Sequence, residues 1–142
     1  HGINAQRYFE IGDHDKDYKF NNYQNRYHWR HIDLMDVLSG YQARTVASLD
    51  DVAKLCGFPG KLAMDGSAVQ ERYANGDLKG IRDYCETDVL NTYLVYLRFE
   101  LMRGNLNAVS YQECLEEAQS FLQDQESEHW QEFLQAWAER GA

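Results

Sequence analysis

The sequence predicts an α/β chain that is mostly helix, with one or few strands. Two patterns carry this. In "HIDLMDVLSGY", Ile32 and Leu34 alternate with polar neighbours, which predicts a short strand over Arg30 to Leu34 that passes into a helix. From Ser48 onward, apolar residues recur at three- and four-residue spacing, in runs opened by capping residues and closed by glycine or polar breaks. The 142 residues, 44% hydrophobic and 26% charged, are enough for one domain with a real core.

Taken in order, Tyr8 to Arg30 is polar and aromatic, and its Asp, Asn and Gly content predicts a loop with an irregular hairpin rather than a long helix. "SLDDVAKLC" predicts a helix. Ser48 is its N-cap, Asp51 completes a capping box, Leu49, Val52, Ala53 and Cys56 form the inner face, and Gly57 ends it. Pro59, the single proline, marks a loop in "CGFPGK". Ser67 opens a helix that Gly76 ends. Asp77 caps a long helix from Leu78 to Met102, which Gly104 closes. Ser110 starts a helical tail. Leu115, Ala118, Phe121 and Leu122 make one apolar face; after the break at "DQESE", Trp130, Phe133, Leu134 and Trp137 make another. The expected organisation is a body over residues 1–109 with an acidic helical extension over 110–142 packed on it.

The net charge of −9 is uneven: residues 110–142 hold eight acids and one base, whereas 1–109 hold fifteen acids and thirteen bases. The acidity belongs mainly to the tail, which is expected to face away from any nucleic acid. No run of 18 apolar residues offers a membrane span, and the start has neither a basic nor an apolar leader segment. The start also lacks methionine, which predicts a processed product or a piece of a longer protein. Cys56, Cys85 and Cys114 have neither disulfide-framework nor metal spacing, and read as buried or half-buried thiols in a reducing cytoplasm.

The long helix raises the chemical question. Ile81, Tyr84, Cys85, Asp88, Val89, Thr92, Val95, Tyr96 and Phe99 step by three and four and predict one inner stripe, with Asp88 in its middle and Tyr84 one turn before it. A carboxylate turned inward is costly unless partnered. Two readings are open. Asp88 accepts hydrogen bonds from a backbone amide or from Tyr84, or sits at a wet edge of the stripe. Alternatively it ligates a hard divalent cation, Mg2+ or Mn2+, beside a phenol that orients water.

The segments "HIDLMDVLSGY", "SLDDVAKLCGFPGK", the "DGS" at Asp65 to Ser67 and "YCETDVLNTYLVYLR" occur in that order. Together they resemble the predicted 3′–5′ exonucleases related to the proofreading domain of bacterial family B DNA polymerases. These belong to the DnaQ-like, or DEDD, superfamily in its tyrosine variant. The resemblance covers residues 1 to about 105 and extends to the helical tail. It implies a ribonuclease H-like α/β fold, of which this chain is mostly the helical C-terminal part. It also implies two-metal hydrolysis at a nucleic acid 3′ end, single-stranded or frayed DNA ahead of RNA, with release of nucleoside monophosphates. Four acids would hold two Mg2+ or Mn2+ ions. Of these, only the acid of the Tyr-x-x-x-Asp helix is present: no Asp-x-Glu opens a strand before it, and no Asn-Gly-x-x-Phe-Asp occurs. The carry-over is therefore Asp88 as metal ligand and Tyr84 as the water-orienting residue. The chain alone is expected to be inactive, and to associate with itself or with the missing N-terminal part.

Other residues are weaker candidates for substrate binding. Arg26 and Trp29 lie in "NNYQNRYHWRH", where aromatics could stack on bases and cations meet phosphate; a solvated loop packed on its own rings is the competing reading. His28 and His31 have metal-like spacing without further donors nearby. Lys61 could reach a phosphate or be an ordinary surface lysine. Asp33 and Asp36 stand near a predicted strand end, where a cap or a solvated residue competes with a site role. A second function class is a non-catalytic helical scaffold that docks partners through its acidic, tryptophan-bearing tail.

Overall fold

The computed structural model describes residues 32–62 and 64–140, in two compact units, His1–Val46 and Ala47–Ala142. In the first, α1 (Leu34–Leu38) starts at Asp33, whose carboxylate accepts the Met35 and Asp36 backbone N–H at 2.9 and 3.1 Å. Asp33 is therefore a cap. Ile32 and Asp33 are not in a strand, and the described residues contain none; Arg30 and His31 of the predicted strand lie outside the described residues. The Asp33 cap competes directly with strand continuation, because it orients the Met35 and Asp36 amides into a helical turn.

Among the described residues, the second unit has five α-helices: α2 (Leu49–Leu55), α3 (Val69–Ala74), α4 (Leu78–Met102), α5 (Ala108–Gln123) and α6 (Glu128–Arg140). The Ser48 hydroxyl accepts the Asp51 N–H at 3.1 Å, the N-cap that the sequence predicts, and the Asp51 carboxylate accepts the Ser48 hydroxyl at 2.7 Å, where a full capping box would have it accept the Ser48 backbone N–H. Asp77 caps α4 by accepting the Gly80 N–H at 2.9 Å. Gly104, at φ +77, ends α4 in a conformation that penalises any Cβ. Two starts differ from expectation. The 3-10 turn Gly66–Ala68 before α3 is capped by Asp65, not Ser67, and α5 is capped by Asn107 rather than begun at Ser110. In both cases a carboxylate or amide earlier in the chain reaches the free amide first.

The core forms where α2, the Phe58–Gly60 loop and helices α4, α5 and α6 meet. Ala53, Phe58, Leu94, Val95, Leu97, Leu122, Phe133 and Trp137 are all buried there. Phe58 meets Trp137 edge-on at 5.8 Å, and Trp137 meets Phe133 likewise at 6.4 Å, so α6 closes the core instead of trailing from it.

The stripe expected on α4 is corrected. Asn91, Leu94, Val95 and Leu97 are buried, whereas Cys85, Val89, Thr92 and Tyr96 are exposed, Val89 at 69%. The buried arc is centred near Thr87, Asn91 and Leu94, because α2, α3, α5 and α6 all pack on α4 and Asn91 seats the Phe58–Gly60 loop against it. Asp88 consequently stands at the edge of that arc, half-buried. Cys85 is exposed too, against the expectation that all three thiols are at least half-covered. No helix among the described residues is long and apolar enough to cross a membrane.

Candidate active site

Tyr84 and Asp88 lie one turn apart on α4, both half-buried. The loop beside them is fixed from two helices. Asn91 of α4 accepts the Gly60 N–H through Oδ1 at 3.1 Å, and through Nδ2 donates to the Gly60 carbonyl at 2.9 Å and the Thr87 carbonyl at 3.1 Å. Asp50 of α2 accepts the Lys61 N–H at 2.7 Å and the Lys54 ammonium at 2.6 Å. Burial pushes the Asp50 carboxyl up, but these donors outweigh it and hold it below its usual range. Gly60 has φ +71, and a Cβ there would collide with the Asp50 carboxylate, so the loop requires glycine on both counts.

This scaffold turns Lys61 toward the Tyr84–Asp88 pair. Its Nζ lies 3.0 Å from Asp65 Oδ2, and the hydrogen bond to Asp65, then the negative charges of Asp65 and Asp88, raise its pKa. The Tyr84 phenol lies against the Gly66 backbone. Burial, then hydrogen bonding to Asp88 and its charge, raise the Tyr84 pKa, so the phenol stays protonated and can donate. Asp65 is held down to about 2, first by the Ser67 N–H and then by Lys61. Because the folded value lies below the unfolded 3.8, the stabilisation from ionised Asp65 is complete above that value and lost as pH falls toward 2. A carboxyl-carbon NMR titration is therefore expected to place the Asp65 midpoint near 2, and to move it upward in Lys61→Ala. A wild-type midpoint at 3.8 would mean that neither the cap nor the ion pair forms.

Of the sequence candidates, Lys61, Tyr84 and Asp88 are thus brought together. Arg26 and Trp29, with His28 and His31, lie outside the described residues. Asp50, Asp65 and Asn91 were not singled out as site residues. Asp65 stood inside the "DGS" segment, but nothing in a linear sequence signals that Asn91 meets a loop thirty-one residues earlier.

Oxygen donors, a protonated phenol and a fixed ammonium suit hard cations and phosphate, the class of chemistry found in enzymes that process nucleic acids. The chain belongs to the family of predicted 3′–5′ exonucleases related to the exonuclease domain of PolB, whose model matches residues 1–137. No curated protein and no solved structure matches it.

Proposed function

We propose that this chain is the helical C-terminal part of a ribonuclease H-like, metal-dependent 3′–5′ exonuclease, acting on single-stranded or frayed DNA ends ahead of RNA. The observation that carries this reading is the Tyr84–Asp88 pair on α4, faced by Lys61, within a chain of the exonuclease family. Asp88 offers a half-exposed oxygen donor that suits Mg2+ or Mn2+. It would be one ligand among four acids, the other three lying outside these residues. The ions, when bound, supply activation of water and stabilisation of the leaving 3′ oxygen.

The chain's own residues have distinct parts. Asp88, half-buried beside the Tyr84 phenol, supplies the carboxylate. Tyr84, protonated, donates a hydrogen bond and so can orient the attacking water. Lys61, charged and tethered by Asp65, offsets the charge of the phosphodiester. Water adds to phosphorus, the 3′ oxygen leaves with a proton, and a nucleoside monophosphate is released. The outward Val89 and Tyr96 side of α4 is available to the sheet that such a fold requires.

The docking-module reading is less well supported, because Phe133 and Trp137 of the acidic tail are buried in the core and not free for a partner. The deciding experiment uses the full-length protein with 5′-labelled single-stranded DNA. A ladder shortening from the 3′ end with Mg2+ or Mn2+, and stopping with chelator, is the expected result. No shortening under either ion, with folding intact, overturns the proposal.

A further inference from the structure

We propose that Asp83 and His129 ligate a divalent transition-metal ion of their own, with Glu86 orienting the imidazole, and that this ion staples α6 to α4. The site does not include Asp88: five and two residues before it, Asp83 and Glu86 lie on a different side of α4. One donor atom from each of Asp83, Glu86 and His129 lies within 4.8 Å of the others.

The hydrogen-bonding logic of the imidazole is what points to a cation. His129 Nε2 lies 2.8 Å from Glu86 Oε2. A carboxylate only accepts, so Nε2 carries the proton. In neutral His129 the lone pair is then on Nδ1. That atom is enclosed and has no hydrogen-bond partner, on a side chain only 12% exposed. Another acceptor, Asp83 Oδ1, stands 3.6 Å from it. Two acceptors facing each other at that distance lack a positive group between them. The spacing is too long for a hydrogen bond. It is close to the roughly 3.4 Å between two ligands of a tetrahedral ion with bonds near 2.1 Å. A carboxylate holding the far ring N–H is the arrangement that orients metal-bound histidines.

The surroundings suit a cation. Asp83, His129, Glu128 and Glu132 line one cavity of about 170 Å3, together with Arg72, Lys79 and, at the side toward Asp88, Tyr84. Lys79 pairs with Asp83 and Arg82 with Glu86, but both bases are 78% exposed, so these pairs are weak and Lys79 can withdraw to solvent. Mixed imidazole and carboxylate donors favour zinc over magnesium.

The test is calorimetric titration of the metal-stripped full-length protein with Zn2+, beside Asp88→Asn, His129→Gln, Asp83→Asn and Glu86→Gln variants whose helicity is checked by circular dichroism. Zinc binding that weakens about 10²-fold in both His129→Gln and Asp83→Asn, and about tenfold in Glu86→Gln, supports the site. Binding retained in Asp88→Asn separates it from the proposed exonuclease metals. A histidine-selective 15N NMR spectrum gives an independent readout: the His129 Nδ1 resonance shifts on zinc addition while Nε2 stays protonated. No zinc uptake, equal uptake by wild type and the two ligand variants, or loss in Asp88→Asn overturns the proposal. So does a His129 ring that stays protonated on both nitrogens in excess zinc at neutral pH, because the cation between the acceptors is then a proton.

Discussion

Asp88→Ala is expected to reduce metal-dependent 3′-end hydrolysis by the full-length protein by about 10³-fold or more, with the fold kept. The magnitude follows from the several kcal/mol that metal-borne charge stabilisation contributes to such a transition state, at 1.36 kcal/mol per tenfold. Retention of the fold follows from position: Asp88 is half-buried at the edge of the α4 arc, and its backbone carbonyl, which accepts the Thr92 hydroxyl at 2.9 Å, survives the substitution. Tyr84→Phe deletes one donor and leaves the carboxylate, so its loss is expected to be smaller, about 10²-fold. Single-turnover rates on a 3′-end substrate, with melting curves on the same samples, check both. Full activity in Asp88→Ala, or a loss matched by unfolding, would remove Asp88 from the chemistry.

The second large effect is on stability. Asn91→Leu is expected to destabilise the second unit by about 3 kcal/mol, since it strands the buried N–H and carbonyl of Gly60, each costing roughly 1–3 kcal/mol when unpaired. The same change frees the loop that carries Lys61, so nuclease activity is expected to fall even below the melting transition. Val89→Ala, two residues away, is the internal comparison: at 69% exposure it should shift stability by no more than about 0.5 kcal/mol. Urea titrations of the two variants decide it. Had the stripe through Cys85, Val89 and Tyr96 been the buried one, the order of the two effects would be reversed.

That reversal shows where sequence reasoning holds and where it stops. Ser48 with Asp51, Asp77 and Gly104 were all legible as helix ends, and the structure places them so. Each acts through a hydrogen bond within three residues or through its own φ angle, and those energies exist whatever the rest of the chain does. Asp33 as a cap falls in the same group, and it also explains why no strand occupies Ile32 and Asp33. The paired Tyr84 and Asp88 were legible too, because helical periodicity makes residues four apart neighbours.

The orientation of α4 was not legible. Its apolar residues are spread around the helix, Val89 and Tyr96 on one side and Leu94 and Leu97 on the other, so periodicity admits more than one inner face. The choice rests on which neighbours arrive: the Phe58 loop, seated by Asn91 against Gly60, and Trp137, which reaches Phe58 across the core. Lys61 meeting Tyr84 and Asp88, and His129 meeting Asp83 and Glu86, depend on those same long-range contacts. Local hydrogen bonds set where each helix begins and ends. The burial energy shared among residues far apart in the chain sets which way α4 faces, and with it which charges meet.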